Sequence, residues 1–337
     1  WRVHSASTAD NPASKLYAYE AGKKAIEGNL ARCGEEGTVT LRSDYGFYDV
    51  DYKLRGTPLV SILIPNKDQA DTLRTCLESI KKKCMYPSYE ILIIENNSTE
   101  EATFSYYKEL EAQGIRVLKY PKQGFNYSAI NNFAVREARG EYLLFLNNDV
   151  EIITENWLEE MLQLCQQKDV GMVGAKLYYP DDTIQHAGVV VGLGGVAAHV
   201  LCKLPRDAEG YMGRLRCVQE ISAVTAACMM VKTSVFKAVG GFDEELKVAF
   251  NDIDLCMKVR KYGVKIVFTP YAELYHYESK SRGMEDTPEK QLRFSREVNC
   301  FRRKWERELL KGDPYYNPNL TLNNTDCSLR KQEKNGD

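Results

Sequence analysis

The sequence has no pair of cysteines in CxxC spacing and no run of about 20 apolar residues, the length that a membrane-spanning helix requires. Its ten cysteines are scattered singly. Several lie within apolar helix or strand patterns, where a free thiol behaves as a small hydrophobe. This usage predicts a reducing compartment, so we expect the protein on the cytoplasmic side of the membrane.

Sequence signatures of several nucleotide-binding classes are also missing. No GxGxxG follows the first predicted strand and no GxxxxGK[ST] occurs, which argues against Rossmann dehydrogenases and P-loop enzymes. The net charge of -2 offers no excess of positive charge for a nucleic-acid partner. The chain starts at Trp1 with neither an initiator Met nor a signal-peptide pattern, which predicts an excised piece of something longer.

What the sequence does contain is an alternation of buried strands and amphipathic helices. Continuous apolar runs predict strands at 59–64, 89–94, 115–118, 142–146, 171–178, 225–231 and 264–268. Helical spacing of apolar residues predicts helices at 13–30, 128–138, 156–167, 252–262 and 288–310, and a further helix around residues 73–80. This alternation implies an α/β fold, with a mostly parallel sheet and right-handed crossovers.

Three regions follow from this pattern. Residues 1–56 form a helical lead-in, residues 57–283 the α/β domain, and residues 284–337 a charged helical extension whose last residues look poorly ordered. Residues 180–220 are rich in glycine and carry His186 and His199. We expect them to be an inserted, irregular and partly mobile segment over the site.

The predicted strand 142–146 ends at the polar residues Asn147, Asn148 and Asp149. In an open parallel sheet, ligands bind at the carboxyl ends of the strands. A carboxylate flanked by amides suits a divalent cation that carries a diphosphate. The alternative is an Asx-rich turn with no ligand.

Other polar residues at strand ends and at one helix start complete a predicted nucleotide pocket. They are Pro65, Asn66, Glu95, Asn96, Asn97, Asn126 and Asn131. Those at strand ends would bond the base and ribose, and those at the helix start would suit an anion, because helix N-termini present free N–H groups. Turn formation and helix capping are the competing explanations.

Three residues in the last third of the domain complete the set of candidates. Asp252 precedes the apolar face of a helix and would point toward the sheet edge, which suits a general base, although the helix dipole also favours acids there. His276 follows Pro270 and the last strand, as a metal ligand or a packed core residue. Arg282 lies in a flexible loop and would contact a phosphate, or remain an exposed charge.

Residues 58–283 resemble the family 2 inverting glycosyltransferases of the GT-A fold. The resemblance rests on ordered motifs: VSILIPNKD, IIENNSTE, FNYSAINN, LNNDVE, GGFDE, NDIDLC and ELYHYESKSRG. It implies a GT-A domain with helical N- and C-terminal extensions. Residues 1–56 are similar to the linker of tandem glycosyltransferases that build rhamnose-containing or O-antigen-like surface polysaccharides, and this similarity implies another glycosyltransferase domain upstream.

The resemblance also assigns roles. The DxD motif of the family falls on Asn147-Asn148-Asp149, so Asp149 inherits the Mg²⁺ or Mn²⁺ contact, His276 the second metal contact and Asp252 the catalytic base. The sequence departs from the family at Asn147, an amide in place of the first acid, which leaves this side chain for ribose or diphosphate bonding. It departs again at Glu95, where Asp is more usual.

The implied reaction is metal-dependent, inverting transfer of a sugar from dTDP-rhamnose or a UDP-hexose. The acceptor would be a hydroxyl of a growing, lipid-linked surface polysaccharide, with peripheral association at the inner face of the membrane. A nucleotidyltransferase is disfavoured, because residues 65–68 are not a Gly-rich basic loop. A catalytically impaired glycan- or nucleotide-binding scaffold domain is the non-enzyme alternative, motivated by Asn147.

Overall fold

The computed structural model describes residues 15–42, 46–278 and 287–331. The helices are α1 (Leu16–Cys33), α2 (Ala70–Lys83), α3 (Glu101–Ala112), α4 (Tyr127–Glu137), α5 (Trp157–Cys165), α6 (Thr233–Ala238), α7 (Asn251–Tyr262) and α8 (Pro288–Lys311). The strands are β1 (Gly37–Leu41), β2 (Tyr48–Tyr52), β3 (Val60–Asn66), β4 (Tyr89–Glu95), β5 (Arg116–Lys119), β6 (Tyr142–Leu146), β7 (Val150–Ile152), β8 (Val170–Tyr178), β9 (Ile184–His186), β10 (Val189–Val191), β11 (Ala197–His199), β12 (Gln219–Glu220), β13 (Cys228–Lys232) and β14 (Lys265–His276).

The central sheet follows the order β12-β14-β8-β13-β6-β3-β4-β5, with β7 and β9 attached to β14 and β8. The pairings set β14, β8, β6, β3, β4 and β5 in one direction, and β12 and β13 in the other. The predicted mostly parallel α/β sheet is confirmed. Its parallel half, β6-β3-β4-β5, brings several strand ends to one edge.

Alternate side chains of each strand enter two separate cores. Leu63 and Phe145 belong to the core beneath α4, α6, α7 and α8, whereas Ile64 and Leu146 belong to the core beneath α2, α3 and α5. This division follows from the two-residue period of a strand. Because both faces are covered by helices, the sequence of each strand is a continuous apolar run. Burial of each large apolar side chain stabilises the folded protein by about 1.5–3 kcal/mol.

Two strands differ from the prediction. β13 runs antiparallel to both of its neighbours, β6 and β8. β14 does not end at Phe268 but continues to His276, with an irregularity in its pairing to β8 between Phe268 and Glu273. Pro270 lacks an N–H and interrupts the ladder without ending the strand. The prediction that His276 follows the strand is therefore wrong, since it is the last residue of β14.

Residues 180–220 are not an irregular cover. They contain β9, β10 and β11, and residues such as Val190 and Leu201 are buried in the core. The chain near the C-terminus packs against this segment: the amide of Leu201 donates to the carbonyl of Thr325 at 2.6 Å, and that of Gly194 donates to Leu322 at 2.8 Å. Backbone pairing gives this glycine-rich stretch a defined fold.

Both extensions pack onto the domain. The hairpin β1–β2, which the sequence did not predict, is held to β14 by the Arg42 guanidinium, which donates to the Tyr271 hydroxyl at 3.0 Å. The predicted C-terminal helix is α8, whose Trp305 indole donates to the buried Asp254 at 2.8 Å. Residues 332–337, predicted to be poorly ordered, lie outside the described residues.

All ten cysteines are free thiols. Among the described residues, no helix combines the length and the apolar character needed to cross a bilayer.

Candidate active site

A cavity of about 450 Å³ opens at the edge where β3 and β6 end, and the start of α7 closes one side of it. Eight of the predicted site residues line this cavity: Pro65, Asn66, Asn96, Asn147, Asn148, Asp149, Asp252 and His276. They come from positions up to 211 residues apart in sequence, from 65 to 276. The fold therefore gathers the strand-end residues and the candidate base in one place.

Asp149 lies just beyond β6, and its side chain is almost fully buried, with 5% of its surface exposed. One carboxylate oxygen, Oδ1, has no hydrogen-bond partner among the described residues. It lies 3.2 Å from Nε2 of His276. A buried charged oxygen without a donor is unfavourable unless a cation or a proton compensates it.

The His276 ring has a defined partner on its other nitrogen. Its Nδ1 is 2.7 Å from the side-chain oxygen of Gln185, an acceptor, so Nδ1 carries a proton. Its Nε2 faces both the Asp149 oxygen and the Asn147 side-chain amide, which lies 3.1 Å away.

The Asp149 oxygen and the His276 nitrogen fit a hard divalent cation. A carboxylate oxygen and a neutral imidazole nitrogen are both ligands for Mn²⁺, and carboxylates suit Mg²⁺. Within the described part of the chain, no group of three or more His, Cys, Asp or Glu side chains could hold a metal by itself. A cation held here would need further ligands, and diphosphate oxygens are the ligands that Mg²⁺ commonly takes from a substrate.

Asparagine side chains form the floor of the cavity. The Asn148 amide donates to the Asn66 side-chain oxygen at 2.6 Å, and the Asn66 amide donates to the Tyr107 hydroxyl at 2.7 Å. All three residues are buried. This chain links the ends of β3 and β6 to α3 and fixes the amides in position.

Asp252 is the second residue of α7 and is partly buried. Its two carboxylate oxygens accept from the backbone N–H groups of Ile253 at 2.9 Å and of Ala226 at 3.1 Å. The helix begins one residue earlier than predicted, at Asn251, after Phe250 in a left-handed conformation (φ 62°). Each oxygen of Asp252 keeps a lone pair beyond these bonds, which is the requirement for accepting a proton.

Tyr127 lies close to both acids. Burial raises the pKa of Tyr127 far above its ordinary value, the Asp252 carboxylate raises it further, and Asp149 adds a smaller effect in the same direction. The phenol therefore stays protonated and donates to the carbonyl of Ala226 at 3.0 Å. One neutral hydroxyl thus shares its surroundings with both candidate carboxylates.

Glu95 and Asn97 do not line the cavity. The Glu95 carboxylate accepts from the backbone N–H of Ser98 at 2.6 Å, and the Asn97 side chain bonds the backbone of Lys122 and Gly124. These are turn-forming contacts, so the geometry does not support the predicted bonds to the base and ribose.

Asn126 and Asn131 also lie outside the cavity lining. Asn126 caps α4, because its oxygen accepts from Ala129 N at 3.0 Å while its amide donates to the Glu244 carbonyl. Asn131 is fully buried and donates to the Tyr127 carbonyl at 2.9 Å. Both side chains thus bond backbone groups at or beside α4, and neither lies where it would bind an anion in the cavity. Arg282 lies outside the described residues.

Other residues around the cavity were not predicted. Glu278 and Arg293 line it, and Gln185 contacts His276 from behind. Nothing in the sequence singled out these three residues. Asn96, which was predicted, is buried, and its side-chain oxygen has no partner among the described residues.

The loop before α7 is held in place by Glu297 of α8. This carboxylate is buried and accepts from three consecutive backbone N–H groups, those of Lys247, Val248 and Ala249, at 2.9, 3.0 and 3.1 Å. Hydrogen bonds to a charged acceptor are the stronger class. The C-terminal helix thereby fixes the chain that leads into Asp252.

His186 and His199 lie behind the cavity rather than on it. Their Nδ1 atoms are 3.3 Å apart, and His199 also bonds the Gln185 carbonyl at 2.9 Å. Burial lowers the pKa of both rings, and for His186 the neighbouring His199 and His276 lower it further. Both rings are therefore neutral at pH 7.

The lowered pKa of His186 predicts a pH-dependent stability. In the unfolded chain the His186 ring binds a proton near pH 6.5, whereas in the folded protein it stays neutral. The free energy of unfolding is therefore highest above that pH and decreases as the pH falls below it. In urea unfolding between pH 7.5 and 5.5, His186→Gln should reduce the slope of the unfolding free energy by roughly 1 kcal/mol per pH unit. An unchanged slope in the variant would contradict this assignment.

Solved glycosyltransferases share this architecture. The mannosyltransferase PcManGT from Pyrobaculum calidifontis, in complex with GDP-Man and Mn²⁺, aligns with a TM-score of 0.54 at 15% identity, over 87% of this chain and 74% of that one. GalNAc-T7 with UDP, GalNAc and Mn²⁺ aligns with a TM-score of 0.59 at 14% identity, over 80% and 52%. The fold is the predicted GT-A fold.

The family follows from the sequence. The family model "Glycosyl transferase family 2" matches residues 61–240, and the chain belongs to this family. The matched region contains β3 to β13 and therefore Asp149, but it ends before Asp252 and His276.

Two long bacterial proteins are similar over nearly the whole chain. The uncharacterized protein y4gI of Sinorhizobium fredii is 49% identical over 98% of this chain and 36% of its own length. The O-antigen biosynthesis protein RfbC of Myxococcus xanthus is 40% identical over 100% of this chain and 26% of its own length. The chain thus spans about a third or less of these relatives.

Proposed function

We propose that this family 2 glycosyltransferase transfers a sugar from a nucleotide-diphosphate sugar to a hydroxyl group, with inversion at the anomeric carbon and with help from a divalent cation. The observation that carries the proposal is one cavity in which Asp252 lies together with the buried Asp149 oxygen and Nε2 of His276.

Asp252 is the general base in this proposal. Its carboxylate takes the proton of the acceptor hydroxyl as that oxygen forms a bond to the anomeric carbon. The bond from that carbon to the diphosphate oxygen breaks with its electron pair, which leaves on the nucleotide diphosphate. The backbone bonds from Ala226 and Ile253 orient the carboxylate without using all of its lone pairs. A single displacement inverts the configuration.

Asp149 and His276 would hold Mg²⁺ or Mn²⁺, which would neutralise the charge that develops on the leaving diphosphate. Asn147 stands where a first acid is usual, and its amide would donate to a diphosphate or ribose oxygen. Arg293, which also lines the cavity, would add a positive charge on the same side as α8. These roles use only side chains at the cavity wall.

Asn66, Asn96 and the Pro65 backbone are the proposed contacts for the nucleoside. The buried oxygen of Asn96 without a partner is suited to accept from a base N–H, because an unpaired buried acceptor is costly. Uracil and thymine present such an imide donor at N3, which favours UDP or dTDP donors, including dTDP-rhamnose and UDP-hexoses. Asn66, fixed by Asn148 and Tyr107, would shape the pocket wall.

The setting proposed for the reaction is surface-polysaccharide assembly. The name of the RfbC relative supports an O-antigen-type product, and the fraction of that protein covered supports a further glycosyltransferase domain in a longer chain. We infer a lipid-linked oligosaccharide acceptor at the cytoplasmic face of the membrane, with peripheral association. In this proposal residues 1–56 are a linker, 57–283 the catalytic domain and 284–337 an extension that positions Asp252 through Glu297.

Hydrolysis of the donor tests the reaction without knowledge of the acceptor, because in many transferases water takes the place of the acceptor in a slow reaction. The protein should be incubated with Mn²⁺ and, separately, dTDP-rhamnose, UDP-glucose, UDP-galactose, UDP-N-acetylglucosamine or GDP-mannose, while the anomeric protons are followed by NMR. We expect one pyrimidine donor to be hydrolysed, with the inverted anomer appearing first. First release of the retained anomer would contradict a single displacement, and hydrolysis of none would favour the scaffold alternative.

A further inference from the structure

Gln185 is a buried glutamine that contacts His276 across 91 residues of sequence. It is 4% exposed and lies in the middle of β9, which pairs with β8. Its backbone carbonyl accepts from the His199 ring at 2.9 Å, which anchors the strand from the other side. The side chain therefore has a fixed position behind the His276 ring.

The orientation of the Gln185 amide follows from its partners. Its NH₂ group donates to the His276 carbonyl at 3.3 Å and to the Glu278 carboxylate at 3.4 Å, both of which are acceptors. The opposite orientation would place an oxygen against two oxygens. The amide oxygen is therefore the atom 2.7 Å from His276 Nδ1, and that nitrogen must donate.

The other side of the ring faces the cavity. The Asn147 side-chain amide lies 3.1 Å from Nε2 and donates to it when that nitrogen carries a lone pair, and the Asp149 oxygen lies 3.2 Å from Nε2. A carboxylate oxygen and a ring lone pair at this distance repel each other unless a proton or a cation lies between them. Nε2 and the Asp149 oxygen are therefore close enough to bind one cation together.

We propose that Gln185 is a positioning residue that holds His276 in the Nδ1–H tautomer, so that Nε2 is available to the cation of the donor diphosphate. The proposal rests on the cation role of His276 in the proposed function. A partner on the far ring nitrogen is how proteins select which nitrogen of a histidine binds a metal. Gln185 supplies that partner here from outside the cavity wall.

The tautomer can be read directly by NMR of protein labelled with ¹⁵N-histidine, in which His276→Asn identifies the signal among the four histidines. We expect the wild type to show Nδ1–H for His276. Gln185→Met, of similar size but without an acceptor, should shift the ring toward Nε2–H. Gln163→Met removes another buried glutamine, which bonds Glu160, and should change nothing.

Binding of Mn²⁺ in the presence of UDP or dTDP, followed by EPR of the free ion, gives the second readout. We expect Gln185→Met to weaken Mn²⁺ binding about 10- to 100-fold, as the loss of an outer partner typically does. A wild-type tautomer and affinity in this variant would overturn the role of Gln185 alone. A wild type that binds no Mn²⁺ with either nucleotide would overturn the proposed function itself, and with it the cation role assigned here.

Discussion

Asp252→Asn is expected to lower kcat about 10²- to 10⁴-fold, with the KM for the donor nearly unchanged. The amide cannot take the proton of the acceptor hydroxyl. It can still accept from one of the two N–H groups that the carboxylate bonds, those of Ile253 and Ala226, so the local fold should survive. Loss of the other bond should cost about 1 kcal/mol of stability, which thermal unfolding would report.

A matched control is Asp243→Asn. Asp243 lies in the loop before α7 and pairs with Lys304 at 2.6 Å, but it does not line the cavity. The control variant should keep wild-type turnover even if its stability falls. If Asp252→Asn also kept wild-type turnover, the assignment of Asp252 as general base would be wrong. If the Asp252→Asn variant lost turnover but kept the biological function of the protein, the scaffold alternative would be favoured.

Asp149→Asn should abolish the metal dependence of donor binding. The carboxylate supplies the negative charge opposite His276, and an amide of the same size supplies none. The affinity for Mn²⁺ should therefore fall by at least about 100-fold, which is the upper end of the range for loss of a residue that only contacts a metal ligand. Without added cation, the variant should be at least as stable as the wild type, because it removes a buried charged oxygen that has no hydrogen-bond partner among the described residues.

EPR of Mn²⁺ and thermal unfolding measure these two effects in the same samples. Asp182→Asn is the control, since this acid pairs with Arg206 at 3.3 Å outside the cavity. Equal Mn²⁺ affinity in Asp149→Asn and in the wild type would contradict the cation site. A large loss of stability in Asp149→Asn without cation would instead indicate that the carboxylate has a structural role.

Much of the fold could be predicted because burial on both faces leaves a plain pattern. Runs such as 59–64 and 142–146 are apolar throughout, and the strands lie close to those positions. The same property hides strand direction: β13 is as apolar as the strands on either side of it, and only the pairing shows that it runs antiparallel to both. The length of β14 was missed because proline usually ends a strand, whereas here the ladder resumes beyond Pro270.

The site was predictable where side chains follow directly from strand ends. Asn66 and Asp149 reach the cavity because β3 and β6 deliver them there. The sequence could not predict which residue of the turn after β4 faces the cavity. That choice depends on the left-handed conformation of Asn97 (φ 59°) and on the hydrogen bond that the Ser98 N–H donates to Glu95. Gln185 gave no signal at all, because its contact with His276 depends entirely on how β9 packs.

Calorimetric titration of the wild-type protein with UDP, dTDP, GDP and CDP, each with and without Mn²⁺, tests the central claim most directly. The claim is that the cavity binds a nucleotide diphosphate through a cation held by Asp149 and His276. We expect a pyrimidine diphosphate to bind only with Mn²⁺, and this binding to disappear in Asp149→Ala. Binding that is equally strong without Mn²⁺, or no binding of any of the four nucleotides, would contradict the claim.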